Sequence, residues 1–121
     1  MTFYNEKGLK RFTNAFLFSF AGFKATWKYE EAFRQEVIVF FLAVPLAIWL
    51  AENNVEIVLL IGSVGLVLVV ELLNSAIEAV VDRIGVEYHE LAGRAKDIGS
   101  AAVMLTIMLS ITTWLLIVYK N

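Results

Sequence analysis

Residues 57–82 read IVLLIGSVGLVLVVELLNSAIEAVVD. The run Ile57–Val70 carries no charge, and a helix-compatible pattern continues through Val81. A bilayer hydrocarbon core of about 30 Å takes roughly 20 helical residues, and this block reaches that length only by including Glu71. The two neighbouring apolar blocks decide that it spans a membrane. Val37–Ala51 is apolar until Glu52 and reaches spanning length by extending back over Phe33–Glu36. Ile98–Tyr119 runs for 22 residues without a charge. Strands are excluded, because an open sheet cannot cross lipid and three segments cannot close a barrel.

Composition agrees. The chain has 121 residues, of which 60% are hydrophobic, against about 45–50% in an ordinary globular chain. A soluble domain this small has too much surface to hide that much apolar side chain. The net charge of -2 gives no electrostatic case for nucleic acid. With no cysteine there is no disulfide scaffold and no thiolate metal site. The expected architecture is a single all-α integral membrane domain over residues 1–121. A surface helix at about 5–28 precedes membrane helices at about 33–52, 56–82 and 94–119.

The surface helix is expected from Leu9, Phe12, Phe16, Phe20, Phe23 and Trp27, which recur at steps of three and four with Lys10, Arg11, Asn14, Lys24 and Lys28 between them. That pattern belongs to an amphipathic helix lying in the membrane interface. No cleavable signal is expected, since these residues lack a compact apolar core followed by a small-residue cleavage site. Basic residues set the orientation. Lys7, Lys10, Arg11, Lys24, Lys28 and Arg34 precede the first span, and Arg83, Arg94 and Lys96 flank the second connection, while Glu52–Glu56 holds none. The N-terminus and the 83–96 loop are therefore expected inside, and the 52–56 turn and C-terminus outside. Trp27 on the inner side, with Trp49, Trp114 and Tyr119 on the outer side, suits interfacial belts. Pro45 is expected to kink the first span.

Polar chemistry enters the membrane in the second span. At about 100° per residue, Asn74 falls about −60°, Glu78 about −20°, Asp82 about +20° and Ser75 about +40° from Glu71. The five share one stripe, with Leu72, Leu73, Ile77 and Val80 elsewhere. An acid at mid-bilayer costs about 2.5–3.5 kcal/mol on insertion scales and is expected to face a bundle interior and to serve a function. For Glu78 and Asp82 the plainer alternative is a helix end among the headgroups.

A second cluster, Gly93-Arg94-Ala95-Lys96-Asp97-Ile98-Gly99-Ser100, opens the third span. Lys96 and Asp97 are expected near a helix N-terminus, where free N–H groups favour a phosphate, and the small residues after them allow close helix approach. Arg94 and Lys96 also satisfy the positive-inside bias without any further role. A third cluster, Glu30-Glu31-Ala-Phe-Arg34-Gln35-Glu36, stands at the entrance to the first span, where it serves equally as a solvated hinge. Carboxylates at Glu30 and Glu78 would both lie at the inner interface, and together with substrate phosphates they suit magnesium. His89 is the chain's single histidine, and a loop position leaves it either solvated or facing a nucleotide base. P-loop, GxGxxG, HRD, DFG and HExxH elements are absent. An intramembrane acid also suits a small oligomeric transporter of protons or cations. Three acids, an Asn and a Lys–Asp pair on one inner face favour phosphoryl transfer instead.

The segments ELLNSAIEAVVD (71–82), RIGVEYHELAGRAKD (83–97) and EEAFRQE (30–36) resemble the small prokaryotic diacylglycerol kinases, over residues 27–36 and 69–103. The AFRQE and EYHEL-GRAKD details resemble the Gram-negative members more than the related undecaprenol kinases, which remain the alternative. The resemblance implies a homotrimer in the inner membrane, multi-pass with its N-terminus cytoplasmic, that uses ATP and Mg2+ to phosphorylate diacylglycerol to phosphatidic acid. It implies Glu71 as catalytic base, with Asn74, Lys96 and Asp97 beside it, and Glu30 and Glu78 as metal ligands. It places Arg11, Glu30, Glu78, Glu87, Tyr88, His89, Lys96 and Asp97 at the nucleotide and its metal, and Arg11, Trp27, Glu71 and Ser100 at the lipid substrate. The N-terminal helix departs from the family pattern at Phe16-Leu17-Phe18-Ser19-Phe20-Ala21.

Overall fold

A computed structural model describes residues 7–85, 87 and 89–120, and every described element is helical. In chain order these are α1 (Gly8–Tyr29), α2 (Glu31–Leu50), α3 (Asn54–Ile84) and α4 (Glu90–Lys120). The chain divides into two units, residues 1–31 and 32–121.

The first unit is α1. It starts at Gly8, whose φ of 67° lies in the left-handed region that glycine enters without a Cβ penalty. None of its residues is buried, and Leu9, Phe12, Phe16, Phe20 and Phe23 are all exposed. Phe12 and Phe16 stack one turn apart with ring centroids 5.6 Å apart. The helix stops at Glu30, whose backbone is extended and whose N–H closes on the Thr26 carbonyl.

The second unit holds three helices long and apolar enough to cross a membrane: Glu31–Leu50, Asn54–Ile84 and Glu90–Tyr119. α2 runs unbroken through Pro45, which lacks an N–H for the Phe41 carbonyl. Its C-terminus and the start of α3 are stitched tightly. Ala51 N–H bonds the Ala47 carbonyl, Asn53 Oδ1 accepts from Glu56 N–H at 2.9 Å, and Glu56 Oε1 accepts from Glu52 N–H at 3.0 Å. A side-chain oxygen at the N-cap satisfies a donor that the helix leaves open.

α3 and α4 are the closely packed pair, and their cross-links run in opposite chain order. Trp114 Nε1–H donates to the Leu60 carbonyl at 3.1 Å, the Ser63 and Ser110 hydroxyls bond at 3.1 Å, and Lys96 pairs with Asp82. Interhelical hydrogen bonds of this kind contribute about 0.6 kcal/mol each on average within a membrane. α2 joins through Phe40, which touches the spot where a Cβ on Gly65 would stand. The interior is small: Phe33, Ala43, Ala47, Leu60, Val64 and Val67, with Glu71, Asn74, Thr106 and Ser110 as buried polar members. Most large apolar side chains instead face outward, as a lipid solvent permits.

Candidate active site

The polar stripe forms on α3 with a gradient of burial. Glu71 is 5% exposed and Asn74 is 7% exposed, while Ser75 and Glu78 are half-buried and Asp82 is exposed. At about 1.5 Å per residue, Glu71 and Asp82 lie about 16 Å apart along the helix. Each rung of this ladder meets a different neighbour.

Glu71 meets Glu36 of α2, and their carboxyl groups are hydrogen-bonding neighbours. Glu36 Oε2 is buried and takes no hydrogen bond. Asn74 Nδ2–H donates to Glu78 Oε1 at 3.1 Å. Asn74 Oδ1 turns toward Gly99 of α4 and takes no hydrogen bond. Glu78 also lies within electrostatic reach of Lys96. Asp82 Oδ1 and Lys96 Nζ form an ion pair at 2.7 Å, with side chains 61% and 44% exposed.

Beyond Asp82 the connection between α3 and α4 shapes two adjoining pockets of about 480 and 250 Å³. Both are lined by Val81, Gly85, Glu87, His89 and Ala92, and the smaller also by Asp82 and Lys96. His89 Nδ1 accepts from Leu91 N–H at 3.0 Å, which caps α4. With Nδ1 accepting, a neutral His89 ring carries its proton on Nε2 and can donate from there.

One expectation is overturned. Lys96 and Asp97 do not stand near a helix N-terminus, because α4 already begins at Glu90 and Gly93 N–H bonds the His89 carbonyl. Their own amides lie inside the helix, so no free N–H groups gather there for an anion. The local cause is the histidine cap, which starts the helix before Gly93. Lys96 instead contributes its ammonium group, placed between Asp82 and Glu78. Asp97 and Ser100 are exposed on α4.

The structure thus brings Glu71, Asn74, Glu78, Asp82 and Lys96 together, with Glu87 and His89 at the pocket beyond. Arg11, Trp27 and Glu30 belong to the unit of α1, where Arg11 and Trp27 are exposed and Glu30 is half-buried. Tyr88 lies outside the described residues. Two neighbours of the stripe carried no assignment in the sequence: Glu36, whose signal was an acid inside a segment borrowed to complete a span, and Gly99.

Glu78 fits a hard cation in its chemistry. Its Oε1 accepts from the neutral Asn74 amide, and Lys96 acts on it electrostatically without a close ion pair among the described residues. No three His, Cys, Asp or Glu side chains gather among the described residues. A divalent ion bound here would therefore complete its shell from substrate oxygens and water, as magnesium does.

The family model for prokaryotic diacylglycerol kinase matches residues 17–118. The diacylglycerol kinase of Escherichia coli (strain K12) is 52% identical over 117 residues, covering 97% of this chain and 96% of that protein. That of Haemophilus influenzae is 47% identical over 111 residues, covering 92% and 94%. That of Pseudomonas aeruginosa is 46% identical over 112 residues, covering 93% and 91%.

Proposed function

The chain belongs to the prokaryotic diacylglycerol kinase family, and from that premise we propose that it transfers the γ-phosphoryl group of ATP to membrane diacylglycerol, with Glu71 as general base. The observation that carries this reading is the ladder itself. One helix holds a buried acid at lipid depth and, about 16 Å further along, an acid–lysine pair beside a polar pocket.

Depth explains why the two ends suit two substrates. Counting about 1.5 Å per residue from the 51–53 turn, Glu71 lies about 25 Å along α3 and Asp82 about 42 Å. With that turn at the outer edge of a core of about 30 Å, Glu71 sits just inside the inner boundary and Asp82 beyond it. A diacylglycerol hydroxyl resides at that boundary, and a nucleotide arrives from the water. The hydroxyl oxygen bonds to the γ-phosphorus, the bond to the bridging oxygen breaks, and ADP leaves. Glu71 accepts the hydroxyl proton within hydrogen-bond reach. Asn74 orients Glu78, Lys96 offsets charge on the phosphates, and Glu87 and His89 contact the nucleotide. Phosphoryl transfer asks mainly for this positioning and charge neutralisation. Glu78, with Glu30 as the family resemblance implies, would hold magnesium, which when bound neutralises phosphate charge.

In this reading the protein is an inner-membrane homotrimer with a cytoplasmic N-terminus. The basic residues around α1 and the 83–96 loop support the orientation. The exposure of Asp82 and Lys96 supports a site completed by a neighbouring copy. The test is radiolabelled ATP with purified protein in mixed micelles, offering diacylglycerol and undecaprenol in parallel. Labelled phosphatidic acid is the expected product. Label on undecaprenol alone would reassign the acceptor, and no labelled lipid would defeat the kinase reading.

A further inference from the structure

Gly99 stands in the middle of a 31-residue helix with ordinary helical backbone, where alanine is the more favourable residue. Its lack of a side chain is used by Asn74. A Cβ on Gly99 would collide with Asn74 Oδ1 and lie 3.1 Å from Asn74 Cγ, and its three nearest atoms all belong to Asn74. Asn74 Oδ1 is buried there without a hydrogen bond, while the other end of the same carboxamide donates to Glu78 Oε1.

The two contacts fix one orientation of the amide. Rotated by half a turn, it would aim Oδ1 at the Glu78 carboxylate, oxygen against oxygen, and its NH2 at a glycine Cα that accepts nothing. We propose that Gly99 is a positioning residue: its bare backbone is the seat that holds the Asn74 carboxamide with its donor end on Glu78. The inference rests on the kinase reading only for the consequence in turnover; the seat itself is a matter of packing.

A methyl group at this position acts selectively. The three atoms nearest to it all belong to the Asn74 side chain, the closest being the far end of its carboxamide. Asn74 therefore moves while α3 and α4 keep their separation. The amide loses its bond to Glu78, and Glu78 loses its orientation toward the metal and phosphates.

The experiment is a double-mutant cycle of Gly99→Ala and Asn74→Ala in the purified full chain, read by turnover, thermal midpoint and the side-chain amide NMR signal of Asn74. Gly99→Ala alone is expected to lower turnover by about 10–100-fold, scaled from the worth of a positioned catalytic group, to raise the magnesium concentration needed, and to shift the Asn74 amide signal. It should also lower the midpoint. In the Asn74→Ala background the collision is gone, so Gly99→Ala should raise the midpoint, as alanine does for glycine in a helix. The same destabilisation in both backgrounds would assign Gly99 to general helix packing and overturn the proposal. So would an unmoved Asn74 signal in Gly99→Ala. If the unmodified protein phosphorylates no lipid, the kinase reading fails, and the amide signal and the two midpoints still decide the seat.

Discussion

Replacing Glu71 by Gln separates the chemistry of the deep acid from its packing. Glu71 is 5% exposed and touches Glu36. Glutamine has nearly the same volume, and its amide can both donate to and accept from the Glu36 carboxyl group. The α2–α3 contact should therefore persist, and loss of an acid, which costs about 2.5–3.5 kcal/mol at the bilayer centre and less near its boundary, should if anything ease insertion. Folding and assembly are expected to survive, as read by size-exclusion chromatography and thermal melting. Turnover should fall about 10²–10⁴-fold, the worth of a positioned general base, or about 2.7–5.4 kcal/mol of transition-state stabilisation. ATP binding should change far less, because the Lys96 end of the ladder lies about 16 Å away. Asp82→Asn is the control on the same stripe: it breaks an ion pair between two well-exposed side chains, whose coupling water and salt screen, and should cost less turnover. A well-folded Glu71→Gln protein with near-normal turnover would remove Glu71 from the mechanism and leave its buried carboxyl without a role.

Glu30→Gln and Glu78→Gln should each weaken the magnesium response, and their losses should be non-additive, as for residues that act as a unit; simple addition would show that they do not share an ion. Single cysteines at Asn54 and Gly85, in a chain that has none, should label from opposite faces of the membrane, and labelling from one face would refute the three-span topology. Trp114→Phe removes the donor to the Leu60 carbonyl and should cost about 0.6–1.7 kcal/mol of stability with turnover per folded molecule unchanged; a comparable loss of turnover would tie this outer clasp to the site.

The helices were legible because hydrophobic periodicity and span length act locally. The α3 stripe was legible for the same reason: Glu71, Asn74, Glu78 and Asp82 share a face at helical spacing, and a helix keeps them there whatever packs against it. What the sequence withheld was which neighbour meets each rung. Glu36 read as the last residue before an apolar run, and only the α2–α3 hairpin sets it beside Glu71. The histidine cap leaves no mark in the hydrophobic period, because it acts through a single side-chain bond to Leu91 N–H at the start of α4. Gly99 read as one of several small residues permitting close approach, with no sign that a single carboxamide occupies the space.

The ladder also accounts for a difference in helix length that packing alone leaves unexplained. α2 has 20 residues while α3 and α4 have 31 each. At about 1.5 Å per residue, α2 just crosses a core of about 30 Å and α3 overshoots it by about 16 Å. A tight turn joins α2 to α3, so the surplus of α3 emerges only at the Ile84 end. That surplus begins next to Asn74 and carries Glu78 and Asp82, and the first residues of α4 return along it to bring Lys96 alongside. In the proposed reading the acceptor stays in lipid and the donor in water, which calls for a rigid element that crosses the boundary between them. A loop could not hold a carboxylate at lipid depth without leaving backbone amides unsatisfied. Two paired helices that outrun the membrane supply such an element, with their interior backbone groups bonded and a polar edge running from one solvent to the other. Shortening the surplus by one turn, about 5.4 Å, would move the Asp82–Lys96 pair toward the hydrocarbon while leaving Glu71 in place. In the proposed reading the nucleotide anchor would then be displaced relative to Glu71, and the γ-phosphorus would no longer meet the lipid hydroxyl within the about 3–3.5 Å that transfer requires.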